Sequence, residues 1–517
     1  MRSARDAAPC QAAARKWVLA ATILASSMVF IDGTVVNVAL PALQRDLAAS
    51  IADVQWVVEA YALMLAALLL VGGAAGDRFG RRRVFTLGVA VFAVASAGCG
   101  FAAGVGELTA ARAVQGIGGA LLVPGSLAII SAAFDERARG KAIGTWSGAT
   151  AITAALGPVL GGWMIDHLSW RAVFFINVPL AAVVLGLALW RVPESRNRGA
   201  QGRLDWPGAL LVTLGLAGIV YALIEAPARG WGSAPIQASF CFGAVALAAF
   251  VATEAYRPSP MIPLSLFASR AFSGANLLTF LLYAALGGGL FFLPLNLIQV
   301  QRYSATAAGA ALLPFILLMF TLSRWSGGLI DRYGARLPLV LGPVIAAVGF
   351  ALFALPSTGA GYWTGFFPAV MVLGFGMSLS VAPLTATVMN SLDTAHAGVA
   401  SGINNAASRV AALLAVAAFG VILTPVFNQA LDARLAQSGA GPALLAAVHG
   451  QRERLAAIEL PANLPENERA SARRAIDESF VAGFRSVMLI AALLAAAGAA
   501  CAWILIPGRA GEGRARR

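Results

Sequence analysis

Long apolar runs separated by short charged breaks constrain the fold of this chain more than any other feature. A helix of about 18–25 apolar residues is long enough to cross the ~30 Å hydrocarbon core of a bilayer. We count fourteen such runs: 17–39, 54–73, 84–104, 108–131, 142–165, 172–190, 207–225, 236–254, 274–299, 308–328, 337–356, 364–390, 398–425 and 481–506. Because 59% of the residues are hydrophobic and only 12% are charged, a soluble core could not hide this surface. The sequence therefore predicts an all-α integral membrane protein with fourteen transmembrane helices.

The placement of Lys and Arg predicts the orientation of the chain. If the N-terminus lies inside, the inner breaks hold most of the basic residues and the short outer breaks hold few. The positive-inside rule then puts both termini in the cytoplasm. The net charge of +13 could indicate nucleic-acid binding, but these charges are spread over the breaks, so we expect no nucleic acid as a partner. The basic start of the chain resembles a signal peptide, yet the apolar run meets Asp32 without a cleavage pattern, so we interpret it as an uncleaved first helix.

One polar turn occurs twice in the chain. Residues 72–83 read Gly-Gly-Ala-Ala-Gly-Asp-Arg-Phe-Gly-Arg-Arg-Arg, and residues 326–336 read Ser-Gly-Gly-Leu-Ile-Asp-Arg-Tyr-Gly-Ala-Arg. Aligning Asp77 with Asp331 also aligns Gly80 with Gly334, at an offset of about half the chain. Such duplication is typical of the internal repeats of secondary transporters. Both copies resemble the loop between the second and third helices in each half of a major facilitator transporter.

This resemblance implies a domain organisation and an activity. Fourteen spans point to the drug:proton antiporter branch of the superfamily, with the major facilitator fold. The implied parts are an N-terminal tail (1–16), a six-helix bundle (17–190), a linker (191–206), two inserted helices (207–254), a linker (255–273), a second six-helix bundle (274–506) and a C-terminal tail (507–517). Residues 426–480, named here the cap segment, are expected to form a small, partly helical cap on the outer face. The implied activity is proton-driven efflux of hydrophobic drugs across the bacterial inner membrane by alternating access.

The expected partners are a hydrophobic small molecule, protons and the lipid bilayer, and a periplasmic adaptor is left open. The four cysteines are far apart and have no metal-ligand spacing, so we expect no metal and no cofactor. A channel or receptor would not need the duplicated turn. A membrane enzyme would need a nucleophile–base pair, a metal cluster or a phosphate loop, and the sequence contains none of these motifs. Export of an endogenous metabolite, such as a siderophore or an antibiotic, is the alternative function.

Asp32 is the first candidate for proton coupling. It lies in the first run, about 22 Å from the start of that run at ~1.5 Å per residue, which is past the middle of the membrane. A carboxylate at this depth is costly, so we expect it to face a wet cavity and, where it stays ionised, to have a partner. The alternative is a structural acid that is bonded to Thr34 or to a neighbouring helix.

Two further charged residues are expected near Asp32. Glu59 lies roughly two turns inside the second run, where members that resemble exporters of lipophilic cations carry an acid; a glutamate that reaches the outer interface is the alternative. Arg112 belongs to residues 110–120, which resemble the helix 4 motif of the family. An arginine near two buried acids would keep them ionised until a proton or a substrate arrives. An arginine that extends to the membrane surface is the alternative.

The duplicated turn supplies candidates for a conformational latch: Asp77, Arg78, Gly80 and Arg81 in the first copy, and Asp331, Arg332 and Arg336 in the second. An acid at a helix end can pair with an arginine or a helix N-terminus in one state and lose that partner in another. Basic turns that only keep the loops inside the cell are the alternative.

Four residues of the fifth run, Gly157, Pro158, Gly161 and Gly162, resemble the antiporter motif of the family, which members that move substrate inward generally lack. Proline and glycines at this spacing bend a helix and allow a neighbouring helix to approach closely. A generic glycine-rich crossing would look similar, but the place of the motif in the fifth run favours export. Arg409, in the thirteenth run, departs from the family, which usually has a neutral residue there. We expect it to pair with an acid or to meet an anionic part of the substrate.

Overall fold

The computed structural model describes residues 12–196, 205–257, 260–392 and 397–508. Within these ranges the chain is helical, with short turns between the helices. The α-helices are α1 (Ala12–Asp46), α2 (Ile51–Phe79), α3 (Arg81–Phe101), α4 (Val105–Ala133), α5 (Glu136–His167), α6 (Ala172–Phe175), α7 (Asn177–Arg191), α8 (Trp206–Arg229), α9 (Ala234–Tyr256), α10 (Arg270–Leu295), α11 (Ala305–Ala310), α12 (Leu313–Gly327), α13 (Leu329–Tyr333), α14 (Arg336–Phe353), α15 (Phe367–Asn390), α16 (Ala397–Gln437), α17 (Pro442–His449) and α18 (Glu466–Leu505). Most of the two predicted tails, and parts of both linkers, lie outside the described residues.

Fourteen helical segments of the described chain are long and apolar enough to cross a membrane, which confirms the predicted number. Several helices extend beyond the apolar runs. The first segment reaches Asp46, and the last begins at Glu466. Apolar composition marks only the part of a helix that lies in hydrocarbon, whereas backbone hydrogen bonding continues into its polar ends. The cap segment therefore consists of the ends of α16 and α18, with α17 and a 3₁₀-helix (Arg452–Ala457) between them.

Contacts divide the chain into two compact units. The first comprises Met1–Val36, Val57–Leu216 and Ala246–Met261, and the second comprises Asn37–Trp56, Ala217–Val245 and Ile262–Arg517. This division assigns parts of α1, α2, α8 and α9 to different units. The domain organisation therefore stays a prediction, with bundles at 17–190 and 274–506 and inserted helices at 207–254.

The first unit is organised around α3, which packs against α4 and α7. Glycine allows the first of these contacts: a Cβ atom on Gly88 of α3 would lie 2.9 Å from the carbonyl oxygen of Gly118 on α4. Buried aromatic and aliphatic side chains, among them Phe85, Phe92 and Leu122, fill the space beside these glycines. Small residues at helix crossings and large residues beside them are typical of packing within a membrane, where close contact supplies the attraction.

The second unit repeats this packing. Here α14 packs against α15 and α18, which occupy the same positions in the order of spans as α4 and α7. A Cβ atom on Gly342 of α14 would lie 2.9 Å from the carbonyl oxygen of Gly376 on α15. Gly342 follows Gly88 at the same sequence offset that relates the two polar turns. The duplication in sequence is thus a duplication of helix contacts.

Candidate functional site

A buried ion pair lies inside the first unit. Arg112 of α4 donates from Nη1 to Oδ2 of Asp32 on α1 at 2.5 Å, and the two side chains are 1% and 0% exposed. The Nε atom of Arg112 donates to the carbonyl oxygen of Val57 at 3.0 Å. Its guanidinium group also lies 4.1 Å from the ring centre of Tyr61. Each charge is therefore compensated, as it must be, because an unpaired charge in such an environment costs several kcal/mol.

Two amide side chains complete the network around Asp32. Gln115 donates from Nε2 to Asp32 Oδ1 at 2.8 Å and accepts at its Oε1 from Arg112 Nη1 at 2.8 Å. Asn177, at the start of α7, donates from Nδ2 to Asp32 Oδ1 at 3.5 Å and to Ser96 Oγ at 3.0 Å. Gln115 lies one turn after Arg112 on α4, so its role could have been found from their spacing. No such spacing indicates the role of Asn177, because it reaches the site from a helix that is far away in sequence.

The expectation that Asp32 faces a wet cavity is wrong, because this side chain is fully enclosed. The expected partner is present, and it is Arg112. Thr34 is not a partner of Asp32, since its hydroxyl donates to the carbonyl oxygens of Phe30 and Ile31 on its own helix. The carboxylate is therefore accessible to a proton only if the surrounding helices move.

Glu59 is also enclosed, at 1% exposure, so the alternative of a glutamate at the membrane interface is wrong. Its Oε2 atom has no hydrogen-bond partner among the described residues. Arg112 is equally buried and does not extend to the membrane surface. The hydrogen bonds of Arg112 go to Asp32, Gln115 and Val57, so the expectation that it holds both acids is wrong for Glu59.

The glycine-rich motif of α5 packs on the turn of α1 that follows Asp32. A Cβ atom on Gly157 would lie 2.5 Å from Thr34 Oγ1, and one on Gly161 would overlap Cγ2 of Val35. The other two residues of the motif, Pro158 and Gly162, are buried as well. Only glycine permits this close approach. Helices α1 and α5 are therefore in close contact directly after Asp32.

The first polar turn joins α2 to α3 through Gly80, which has a φ of 115°. Asp77 accepts from Arg81 Nε at 2.9 Å, one helical turn later, and Arg81 Nη1 donates to the carbonyl oxygen of Ala128 on α4 at 3.3 Å. Arg78 is exposed. Arg81 thus connects the acid at the end of α2 to the backbone of α4.

Glu194, which lies outside every motif in the sequence, caps the N-terminus of α3. Its two carboxylate oxygens accept from the backbone N–H groups of Arg82 and Arg83, at 3.1 and 3.2 Å. An anion is stabilised at this position by the unpaired N–H groups and by the helix dipole. A Cβ atom on Gly80 would lie 2.8 Å from this carboxyl group, so both the turn and the cap require glycine there.

The second polar turn repeats two features of the first, a glycine with positive φ and an arginine that is bonded to the end of a later helix. Gly334 has a φ of 78°, and Arg336 donates from Nε to the carbonyl oxygen of Trp503, near the end of α18, at 2.9 Å. At the equivalent position of the first turn, Arg82 donates from Nη1 to the carbonyl oxygen of Val192, which follows α7, at 3.2 Å. Asp331 and Arg332 are exposed. Each turn is thus tied to the end of the last helix of its own repeat.

Comparison with known proteins decides the family. The family model of the Major Facilitator Superfamily matches residues 22–416. The chain belongs to this superfamily. The predicted resemblance is confirmed, and the chain is a multi-pass membrane transporter rather than an enzyme.

Several curated transporters are similar over nearly their whole length. The tetracenomycin C resistance and export protein of Streptomyces glaucescens is 34% identical, covering 94% of this chain and 91% of that protein. The multidrug resistance protein Stp of Mycobacterium tuberculosis is 33% identical, covering 92% and 88%. The puromycin resistance protein pur8 of Streptomyces alboniger is 36% identical, covering 86% and 89%. Among solved structures, a bacterial homologue of the human lysosomal transporter Spinster has a TM-score of 0.68 at 18% identity, covering 96% of this chain and 97% of that one, and shares the fold.

In the second unit of this major facilitator transporter, Arg409 is half-buried on α16. The residue before it lines a cavity of about 90 Å³, whose polar lining includes Tyr283, Thr385, Ser401, Asn404, Asn405 and Ser408. Asn404 donates from Nδ2 to Asn276 Oδ1 at 3.3 Å and to Thr279 Oγ1 at 2.6 Å. These two bonds hold the Asn404 side chain in place in the lining of the cavity. These lining groups offer hydrogen bonds to a molecule in the cavity.

Proposed function

We propose that this transporter exports hydrophobic small molecules from the cytoplasm in exchange for protons. The observation that carries the proposal is the enclosed Asp32–Arg112 pair, which lies next to the glycine face of α5. The names of the similar proteins, which describe resistance to or export of tetracenomycin C and puromycin, support the outward direction. Drugs and natural products of this kind define the proposed substrate class.

Asp32 is the proposed proton carrier. A proton on its carboxylate removes the negative charge that Arg112 pairs with, while Gln115 and the Val57 carbonyl still accept from the guanidinium group. The pair then weakens, and α1 is free to move across the glycines of α5. This movement connects Asp32 to water on one side of the membrane, and the loss of the proton restores the pair. Arg112 thus couples protonation to a change in helix packing.

The two polar turns are the proposed latches of this cycle. In the first turn, Arg81 bridges Asp77 and the backbone of α4, and Glu194 holds the start of α3. Breaking these bonds would free α2 relative to α3 and α4. In the second turn, Arg336 holds the end of α18, as Arg82 holds the residue that follows α7 in the first. The proposed location is the bacterial inner membrane, with both turns and both termini on the cytoplasmic side.

Export of an endogenous antibiotic is the second candidate function. It is favoured by similar proteins that are named as export proteins for tetracenomycin C and for cephamycin. The polar cavity that Asn404, Asn405 and Ser408 line suits a substrate with carbonyl groups. The two candidates share the mechanism and differ only in the source of the substrate.

Everted membrane vesicles from a host that lacks its major pumps test the proposal. Vesicles with the wild-type protein are expected to accumulate a lipophilic dye when respiration acidifies their interior, and an uncoupler is expected to abolish this accumulation. The Asp32→Asn variant is expected to lose it, whereas Asp135→Asn, which keeps a good N-cap for α5, is expected to retain it. Such vesicles contain no periplasm, so accumulation there also means that transport needs no soluble adaptor. Accumulation that resists the uncoupler would contradict proton exchange.

A further inference from the structure

The side-chain partners of Asp32 among the described residues all donate to it. Its Oδ2 atom accepts from Arg112, and its Oδ1 atom accepts from Gln115 at 2.8 Å and from Asn177 at 3.5 Å. A protonated carboxyl group also donates a hydrogen bond, and a buried donor without an acceptor is costly. The proton that the proposed exchange places on Asp32 therefore needs an acceptor close to this carboxyl group.

Two of the three neighbours cannot supply that acceptor. A guanidinium group has no acceptor atom, which excludes Arg112. The Oε1 atom of Gln115 already accepts from Arg112 Nη1 at 2.8 Å and from the thiol of Cys99 at 3.6 Å. Asn177 differs, because its Oδ1 atom is buried and has no hydrogen-bond partner among the described residues. The whole residue is only 1% exposed, so bulk water does not reach this atom.

Ser96 fixes the present orientation of the Asn177 amide. The Ser96 hydroxyl donates to the carbonyl oxygen of Phe174 at 2.8 Å, so it can only accept from Asn177, and it does so from Nδ2 at 3.0 Å. The same Nδ2 atom donates to Asp32, while Oδ1 bonds to neither residue. This orientation suits an ionised Asp32, which needs donors.

A rotation of the amide by about 180° about its Cβ–Cγ bond exchanges the two atoms and keeps the shape of the side chain. Oδ1 then takes the place of Nδ2 and accepts from a proton on Asp32 Oδ1. A hydroxyl group both donates and accepts, so Ser96 can rotate and donate to the same amide oxygen. The two orientations thus match the two protonation states of the acid.

The two states do not depend equally on Asn177. The ionised acid already receives hydrogen bonds from Arg112 and Gln115, and Asn177 adds only a long one. The protonated acid needs an acceptor, which neither Arg112 nor Gln115 provides. Asn177 therefore stabilises the protonated form of Asp32 more than the ionised form.

We propose that Asn177 is a positioning residue for proton binding, whose amide donates to the ionised Asp32 and, after rotation, accepts from the protonated one. Asn177 does not carry the proton itself. This inference rests on the proposed role of Asp32 as the proton carrier, and it adds the hydrogen-bond partner that this role requires.

The charged and titratable side chains around Asp32 come from three helices. They include Arg112 of α4, Cys99 of α3, whose thiol donates to Gln115, and Tyr61 of α2, whose ring lies against Arg112. Helix α5 contributes its glycine face. A substitution of Asn177 changes none of these groups, so its effect on proton binding reports the amide.

Infrared difference spectroscopy during a pH titration measures proton binding by Asp32. The purified full-length transporter is titrated in lipid, and the carboxyl C=O band that Asp32→Asn removes is assigned to Asp32. Asn177→Leu keeps a branched side chain without polar atoms. It is expected to weaken proton binding about tenfold, which lowers the midpoint of the Asp32 band by about one pH unit, because one buried donor loses its acceptor. If Asn177 only donated to the ionised acid, its loss would raise the midpoint. A raised or unchanged midpoint would therefore overturn the proposal.

Dye exchange without a gradient shows whether each variant is folded. If Asn177→Leu loses exchange, the smaller Asn177→Val makes the same test, and a lower midpoint is again expected. The matched control Asn428→Leu on α16 removes another amide whose Oδ1 atom lacks a partner among the described residues, and it is expected to keep the midpoint of the wild type. An equal fall in this control would overturn the proposal. A wild type without an Asp32-dependent carboxyl band would instead contradict the proton-carrier role, and the proposal for Asn177 would fall with it.

Discussion

Neutralising both members of the Asp32–Arg112 pair is expected to destabilise the transporter no more than neutralising either one alone. The Asp32→Asn variant leaves a guanidinium group in the interior with only neutral acceptors, among them Gln115 and the Val57 carbonyl. The Arg112→Gln variant leaves a carboxylate that accepts only from Gln115 and Asn177. Removing one partner of a buried pair typically costs about 3–5 kcal/mol, because the remaining charge stays desolvated.

We therefore expect each single variant to lose about 3 kcal/mol of unfolding free energy, at the lower end of that range because neutral partners remain. The double variant contains no buried charge at this site and is expected to lose no more than about 3 kcal/mol. The resulting interaction energy is about 3 kcal/mol, well above the ~0.5 kcal/mol that independent sites show. Unfolding in detergent–lipid micelles with rising dodecyl sulfate, followed by circular dichroism, measures all three values. Losses that simply add in the double variant would refute the pairing.

Three further changes test the rest of the site. Asp77→Asn is expected to slow dye transport severalfold while leaving equilibrium dye binding unchanged, and an equal loss of both would indicate misfolding instead. Gly161→Ala is expected to destabilise the protein by about 1–3 kcal/mol in the same unfolding assay, because its Cβ would overlap Val35, and Val35→Ala is expected to restore part of that loss. Glu59→Gln is expected to weaken transport of a monocationic dye by about 1–3 kcal/mol and to spare a matched neutral dye. Equal effects on both dyes would assign Glu59 to proton coupling.

The number of spans could be predicted because an apolar run of sufficient length has few alternatives to crossing the membrane. The ends of the helices could not, since their polar extensions carry no apolar signal. This is clearest in the cap segment, where α16 continues to Gln437 and α18 begins at Glu466. The duplicated turn could also be predicted, because Gly80 and Gly334 both need positive φ, which only glycine adopts without strain.

The site could be predicted only in part. A charge inside an apolar run is conspicuous, so Asp32, Glu59 and Arg112 stand out in the sequence itself. Their surroundings depend on contacts between distant helices, which no local pattern encodes. The enclosure of Asp32 therefore could not be predicted from the sequence. The same is true of the cap that Glu194 forms on α3 and of the hydrogen bond from Asn177 to Asp32.

Proton coupling through Asp32 is tested most directly in proteoliposomes that contain only the purified transporter. Two assays share one dye: exchange between labelled and unlabelled dye without a gradient, and net transport driven by an imposed proton gradient. The Asp32→Asn variant is expected to retain exchange, because the binding surface is intact, and to lose gradient-driven transport. Asp135→Asn is expected to behave as the wild type in both assays. Gradient-driven transport by Asp32→Asn at the rate of the wild type would contradict the role of Asp32 as the proton carrier.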